Sequence, residues 1–179
     1  MSALVPRDRS VPSMADSEIA LTPGTLPTSL GSATLRLATT DDLPAVVNLL
    51  AGDQIGGTPD SADDLGPYLE AFRVIDRDPA HLLLVAETNG QVIATMQLSF
   101  LPGLASRGAW RAEIEGVRVH TTLRRTGIGR AMITWTIEEA RRRGCALVQL
   151  TTNKQRTDAH RFYARLGFAN SHEGFKLAL

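Results

Sequence analysis

The sequence holds a single cysteine, Cys145, in 179 residues. No intrachain disulfide framework can form, and a reducing compartment suits the chain. It has no surplus of either charge, because 19 basic side chains are matched by 19 acidic ones. A protein that binds nucleic acid by neutralising phosphates keeps a basic excess, so the balance argues against that class. No apolar run approaches the roughly 20 residues of a membrane span. The first residues also lack the continuous apolar core of a secretion signal. A cytoplasmic protein with no nucleic-acid or membrane partner is expected. No His, Cys, Asp and Glu residues stand at metal-ligand spacing, so no metal is expected either. His120 and His160 read as surface or capping residues, and Cys145 as a small apolar core residue.

Two nucleotide fingerprints are missing as well. The stretch Val117 to Arg130 reads V-R-V-H-T-T-L-R-R-T-G-I-G-R. A G-x-G-x-x-G pattern would need glycine at position 132, where Met132 stands, and the string G-x-x-x-x-G-K-[ST] does not occur. What is present is a β-branched run ending at His120, a short polar connection, and Arg124-Arg125-Thr126-Gly127-Ile128-Gly129 opening a long helical pattern. The first N–H groups of a helix have no intrahelical partner, and the helix dipole adds partial positive charge there. Glycines let an anion approach the backbone, and the arginines add cations. The forecast is a phosphate or pyrophosphate site.

The remaining chain provides one domain with a sizeable core, since 43 % of its residues are hydrophobic. Residues 1–32 are rich in Ser, Pro, Thr and Gly and read as a flexible tail, so the domain is expected over 33–179. Residues 33–38 alternate as a strand. Thr39 or Thr40 then caps a helix with Asp41 and Asp42 in its first turn. Ser61 and Asp64 resemble a capping box for a helix over about 62–76. Residues 81–88 and 91–100 form a hairpin across Asn89-Gly90. Residues 110–120 form a strand, 128–143 an amphipathic helix closed by Gly144, and 145–152 a strand buried in its middle. Residues 158–166 form a short helix, and 168–179 the last strand or strand pair.

The spacing Arg124-x-x-Gly127-x-Gly129 resembles the R/Q-x-x-G-x-G/A signature of the GCN5-related N-acetyltransferases. The ending Phe162-Tyr163-x-x-Leu166-Gly167-Phe168 resembles that family's second hallmark, about 35 residues on, and the element order β-α-α-β-β-β-α-β-α-β matches its fold. The resemblance covers roughly residues 33–179. It implies a mixed α/β fold: a central, mostly antiparallel twisted sheet flanked by helices and splayed at the acetyl-coenzyme A site. It also implies backbone contacts from Val117, Arg118 and Val119 to the acetyl and pantetheine groups. The N–H groups of Arg125, Thr126, Gly127, Ile128, Gly129 and Arg130 would wrap the pyrophosphate, with charge from Arg124, Arg125 and Arg130. The family often places Asn where Arg156 stands, so Asn153, Lys154 or Arg156 itself would make that pantetheine contact. Homodimers are common in the family.

Acetyl transfer to an amine needs a base for the ammonium proton and an acid for the departing thiolate. Glu113 and Glu115 lie two apart on one strand and so share a sheet face. Either is a candidate base, or both are surface carboxylates paired with Arg111. Tyr163 is the candidate acid, the alternative being a core aromatic with a satisfied hydroxyl. The run T-T-N-K-Q-R-T-D-A-H-R-F-Y is similar to aminoalkylphosphonate N-acetyltransferases, which implies a small amine bearing an anionic group and recognition by Arg107, Arg111 or Arg156. The expected activity is acetyl-coenzyme A-dependent N-acetylation of a small-molecule amine by direct transfer in a ternary complex. Protein or peptide acetylation, or a non-catalytic acyl-coenzyme A sensor, are the alternatives.

Overall fold

The computed structural model describes residues 24–29, 31–52 and 60–177. Six strands form one sheet in the order β1 (Gly24–Thr28), β2 (Gly31–Leu37), β3 (His81–Thr88), β4 (Gln91–Leu101), β5 (Arg111–Val119), β6 (Leu147–Leu150). Neighbours are antiparallel except β5 and β6, which are parallel. Helices α1 (Leu43–Ala51) and α2 (Gly66–Arg77) cover one face; α4 (Ile128–Arg142) and α5 (Thr157–Arg165) cover the other. A one-turn segment, α3 (Ala105–Gly108), links β4 to β5, with Ser106 and Arg107 in left-handed conformations.

The sheet separates two cores, and β3 shows why its L-L-L-V-A run has no polar face. Leu82, Leu84 and Ala86 join Met96, Leu98, Phe100, Ile114, Met132 and Ile133 on the α4 side. Val85, flanked by Leu83, packs with Val46 and Phe72 on the α1 side. The Asn89-Gly90 turn forms as expected, both residues having positive φ. Arg143, just past the end of α4, is buried. It stacks 4.1 Å over the Phe100 ring, donates to Glu139 at 2.7 Å and to the Pro79 carbonyl at 3.1 Å. It thereby locks the end of α4 to the sheet.

Four expectations need correction. The sheet begins at Gly24, inside the segment expected to be tail, because Leu26 is 2 % exposed and the strand hairpins onto β2. Residues 1–23, most of the expected tail, lie outside the described residues, as do residues 53–59. Helix α2 starts at Gly66, not near 62. Ser61 bonds Asp63, and Asp64 accepts the Gly66 N–H, so the capping box does not form, and Pro67 starts the helix instead. Strand β6 is only four residues long and is not buried in its middle: Leu147 is exposed, and Val148, Gln149 and Leu150 are half-buried. Residues 168–177 form no strand: beyond Phe168 all are exposed, and the polar run Ser171-His172-Glu173-Gly174 interrupts any apolar alternation.

Candidate active site

Strand β5 positions the site through a β-bulge. Thr95 pairs with Arg118 and Gln97 with Glu115, so Met96 alone opposes both Gly116 and Val117. Gly116 supplies the positive φ of 59° that such a bulge demands. The extra residue also changes which side chains face which way. Glu113 and Glu115 face the α1 side, whereas Val117 and Val119 pack into the α4-side core. Beyond Ile114 and Leu150, β5 and β6 no longer pair, so among the described residues the stretch from Glu115 to Val119 has no strand beside it on that edge. This is the splay expected from the sequence.

A pocket of about 220 Å³ sits against the bulge, lined by Val46, Leu50, Leu83, Thr95, Gln97, Glu115 and Gly116. Helix α1 forms its apolar side. A Cβ placed on Gly116 would lie 3.7 Å from Leu50 Cδ2, so the helix rests directly over the bulge. Glu115 reaches this pocket. Glu113 is one row away, opposite Ser99, whose Oγ lies 2.9 Å from His81 Nδ1. Among the described residues neither glutamate has an ion-pair or hydrogen-bond partner, so the suggested pairing with Arg111 is not formed. Arg111 lies at the start of β5, its guanidinium near Gly103.

The glycine loop is built as the sequence foretold. Arg125 and Gly127 both have positive φ, and α4 begins at Ile128. Among the described residues no backbone carbonyl takes the N–H groups of Arg125 to Arg130, which leaves an amide cluster at a helix N-terminus. The first turn of α4 packs beside β5 and α5: a Cβ on Gly129 would make ordinary contact, 3.6 Å, with both Val119 and Phe162. Arg124, Arg125 and Arg130 are exposed. The loop is braced from an unexpected direction, the Ser29 N–H donating to the Thr126 carbonyl at 2.9 Å.

Tyr163 lies between Phe162 and Phe168, with ring centroids 5.1 and 5.7 Å away, both edge-on. Burial pushes its phenol pKa above 10, while the nearby charges of Arg118 and Arg156 pull it partly back. The structure therefore brings Arg118 and Arg156 toward Tyr163, away from Arg107 and Arg111. Asn153 uses its side-chain oxygen to accept the Gln155 N–H at 2.9 Å and its carbonyl to accept from Arg156 N–H and His160 Nε2. It shapes the loop before α5. His120 pairs locally with Thr122, and burial raises the Cys145 thiol pKa. Among the described residues no three His, Cys, Asp or Glu side chains converge as a metal site. Val46, Leu50, Leu83, Thr95 and Gln97 were not singled out from sequence, because only the strand register and the seat of α1 bring them to Glu115.

The sequence profile of the acetyltransferase (GNAT) family matches residues 43–168. An aminoalkylphosphonate N-acetyltransferase from Salmonella typhimurium is 34 % identical over 145 residues, 81 % of this chain and 90 % of that protein. A structure described as a transcriptional regulator from Bacillus halodurans C-125 superposes with TM-score 0.78 at 44 % identity, over 82 % of this chain and 99 % of that one. A Trypanosoma brucei acetyltransferase gives TM-score 0.64 at 25 % identity, over 82 % and 99 %. The chain belongs to the acetyltransferase (GNAT) family and is an N-acetyltransferase. That family uses acetyl-coenzyme A. The loop fits such a donor on chemical grounds, since its clustered amides and three arginines suit a pyrophosphate.

Proposed function

We propose that the protein acetylates the primary amine of a small molecule by direct transfer within a ternary complex. The observation that carries this reading is the half-open pocket between α1 and the bulge, with Glu115 on its wall. Its volume of about 220 Å³ suits a small acceptor. Acetyl-coenzyme A supplies the activated acetyl group. Glu115, directly or through one water, accepts the proton that leaves the ammonium, so the nitrogen lone pair is free to attack. As the carbon–sulfur bond breaks, Tyr163 gives its phenol proton to the thiolate. The charges of Arg118 and Arg156 favour the anion that forms there. Val117, Arg118 and Val119 would hold the pantetheine arm by their backbone, Arg125 to Arg130 the pyrophosphate by N–H groups, and Arg124 and Asn153 the flanks.

The acceptor named for the Salmonella relative, an aminoalkylphosphonate, supports an anionic small amine. Arg118 and Arg156 are the cations beside the site. The reading places the enzyme in the cytoplasm as a homodimer, with neither nucleic acid nor membrane as partner. A second reading, a non-catalytic acyl-coenzyme A sensor, draws support from the description of the Bacillus structure as a transcriptional regulator. Thiol release from acetyl-coenzyme A against small amines, amino acids, aminoalkylphosphonates, polyamines and a lysine peptide separates these readings. Turnover with small amines is expected. Turnover with the peptide alone would move the assignment to protein acetylation, and tight cofactor binding without turnover would favour the sensor.

A further inference from the structure

The pocket's lining carries more information than its size. Its walls are Val46 and Leu50 from α1 and Leu83 from β3, and its polar groups are Thr95, Gln97 and Glu115. The Thr95 hydroxyl is already committed, donating to the Leu84 carbonyl at 3.0 Å. Gln97 lies directly across from Glu115 in the β4–β5 register and next to Leu83 in the β3–β4 register. Among the described residues its side-chain amide has no partner. One carboxylate and one amide thus face a half-open, largely apolar pocket, and no cationic side chain lines it. A cavity of 150 Å³ lined by apolar groups accommodates benzene, so about 220 Å³ has room for a short hydrocarbon chain. An anionic group inside would face Glu115 with nothing to neutralise it.

We propose that this pocket selects the acceptor by the apolar skeleton next to its nitrogen. Gln97, opposite Glu115, acts as a specificity-determining residue that holds the ammonium through its amide oxygen. The inference rests on the acetyltransferase reading and sharpens its substrate class. The preferred acceptors are primary amines with a short alkyl substituent, and any anionic group they carry projects out of the pocket.

The test uses ethylamine, n-propylamine, n-butylamine and 2-aminoethylphosphonate with the full chain. Amine binding is followed by NMR and turnover by thiol release. Affinity and kcat/KM are expected to rise about fourfold per added methylene along the alkylamines. Leu50→Trp, which fills the chamber, is expected to abolish that trend and to raise KM more than tenfold while acetyl-coenzyme A binds as before. Leu50→Ala, a milder change should the tryptophan variant fail to fold, is expected to shift the preference to longer amines. Gln97→Leu is expected to raise KM for every amine alike, with kcat and cofactor affinity little changed. Thiol release that is flat along the series and unaffected by the Leu50 variants would overturn the proposal and leave the transferase reading standing. Chain-length-dependent binding without thiol release would support the pocket assignment and overturn the transferase reading. No binding and no turnover would overturn both.

Discussion

Glu113 and Glu115 share one face of β5 yet meet different surroundings, and the difference separates the roles proposed for them. Glu115 borders the pocket at the bulge, while Glu113 lies opposite Ser99 in the row that ends at His81. Glu115→Gln is therefore expected to lower kcat about 100-fold, as loss of a general base does, with Glu113→Gln costing less than tenfold. Pre-steady-state and steady-state thiol release check both, and the reverse order would move the base to Glu113. Tyr163 makes a separate prediction from its burial. Its phenol pKa is raised above 10, so the proton that the proposed acid would donate is retained throughout the neutral and mildly alkaline range. The alkaline fall in kcat should lie above pH 10 and vanish in Tyr163→Phe, whose residual rate is expected to be about 100-fold lower. Both candidate glutamates and the tyrosine were legible in sequence, because strand alternation and the F-Y-x-x-L-G-F ending are local. Which glutamate meets the pocket was not, because that depends on α1, more than 60 residues earlier in the chain.

At the level of elements, the pocket depends on how firmly α1 is seated. Arg36 on β2 donates to Asp42 through Nη1 at 2.6 Å and Nη2 at 2.9 Å, and to Glu87 on β3 through Nη2 at 2.6 Å. Asp42, at the end of a 3₁₀ turn leading into α1, also accepts the Thr39 N–H at 2.7 Å and its hydroxyl at 3.0 Å. The Arg36 hydrogen bond, opposed by burial and reinforced by Thr39, lowers the Asp42 pKa from 3.8 to about 2. A depressed carboxylate stabilises the fold above its unfolded pKa and loses that contribution as pH falls through the folded value. Asp42→Asn is expected to cost about 2 kcal/mol at pH 7. The gap to wild type should close between about pH 4 and pH 2. Urea unfolding at several pH values measures this, and a gap independent of pH would refute the assignment. The sequence marked Asp41 and Asp42 as helix-start acids but could not reveal Arg36 and Glu87 as partners, which sit on two other strands. Short-range signals such as Asn89-Gly90 and Gly127-Ile128-Gly129 were legible because each is closed by its own neighbours. The start of α2 was misjudged because Gly66-Pro67 competed with an equally local capping pattern.

Across the whole molecule the two sheet edges differ. The β1 edge was hidden from sequence reading by its Ser-, Pro- and Gly-rich composition, yet Leu26 and the packing of Gly24 against Trp135 anchor it on α4. The β6 edge is the opposite case. Among the described residues strand β6 pairs only with β5, and its Leu147 is 51 % exposed. The expected closing strand does not form in a single chain, although Phe175 and Leu177 stand two apart, 92 % and 87 % exposed. Two such residues would lie on one face of a strand, and a bare edge is a template for strand addition. Among the described residues the chain thus carries an unpaired edge and an apolar segment able to cover it, and a second copy is the occupant the prediction tests. Light scattering coupled to size exclusion is expected to give twice the 19.3 kDa chain mass. Phe175→Ser with Leu177→Ser should return the monomer and leave α-helical circular dichroism unchanged, because neither side chain supports the core of its own chain. A wild-type monomer, or a variant that stays dimeric, would place the cover for β6 elsewhere.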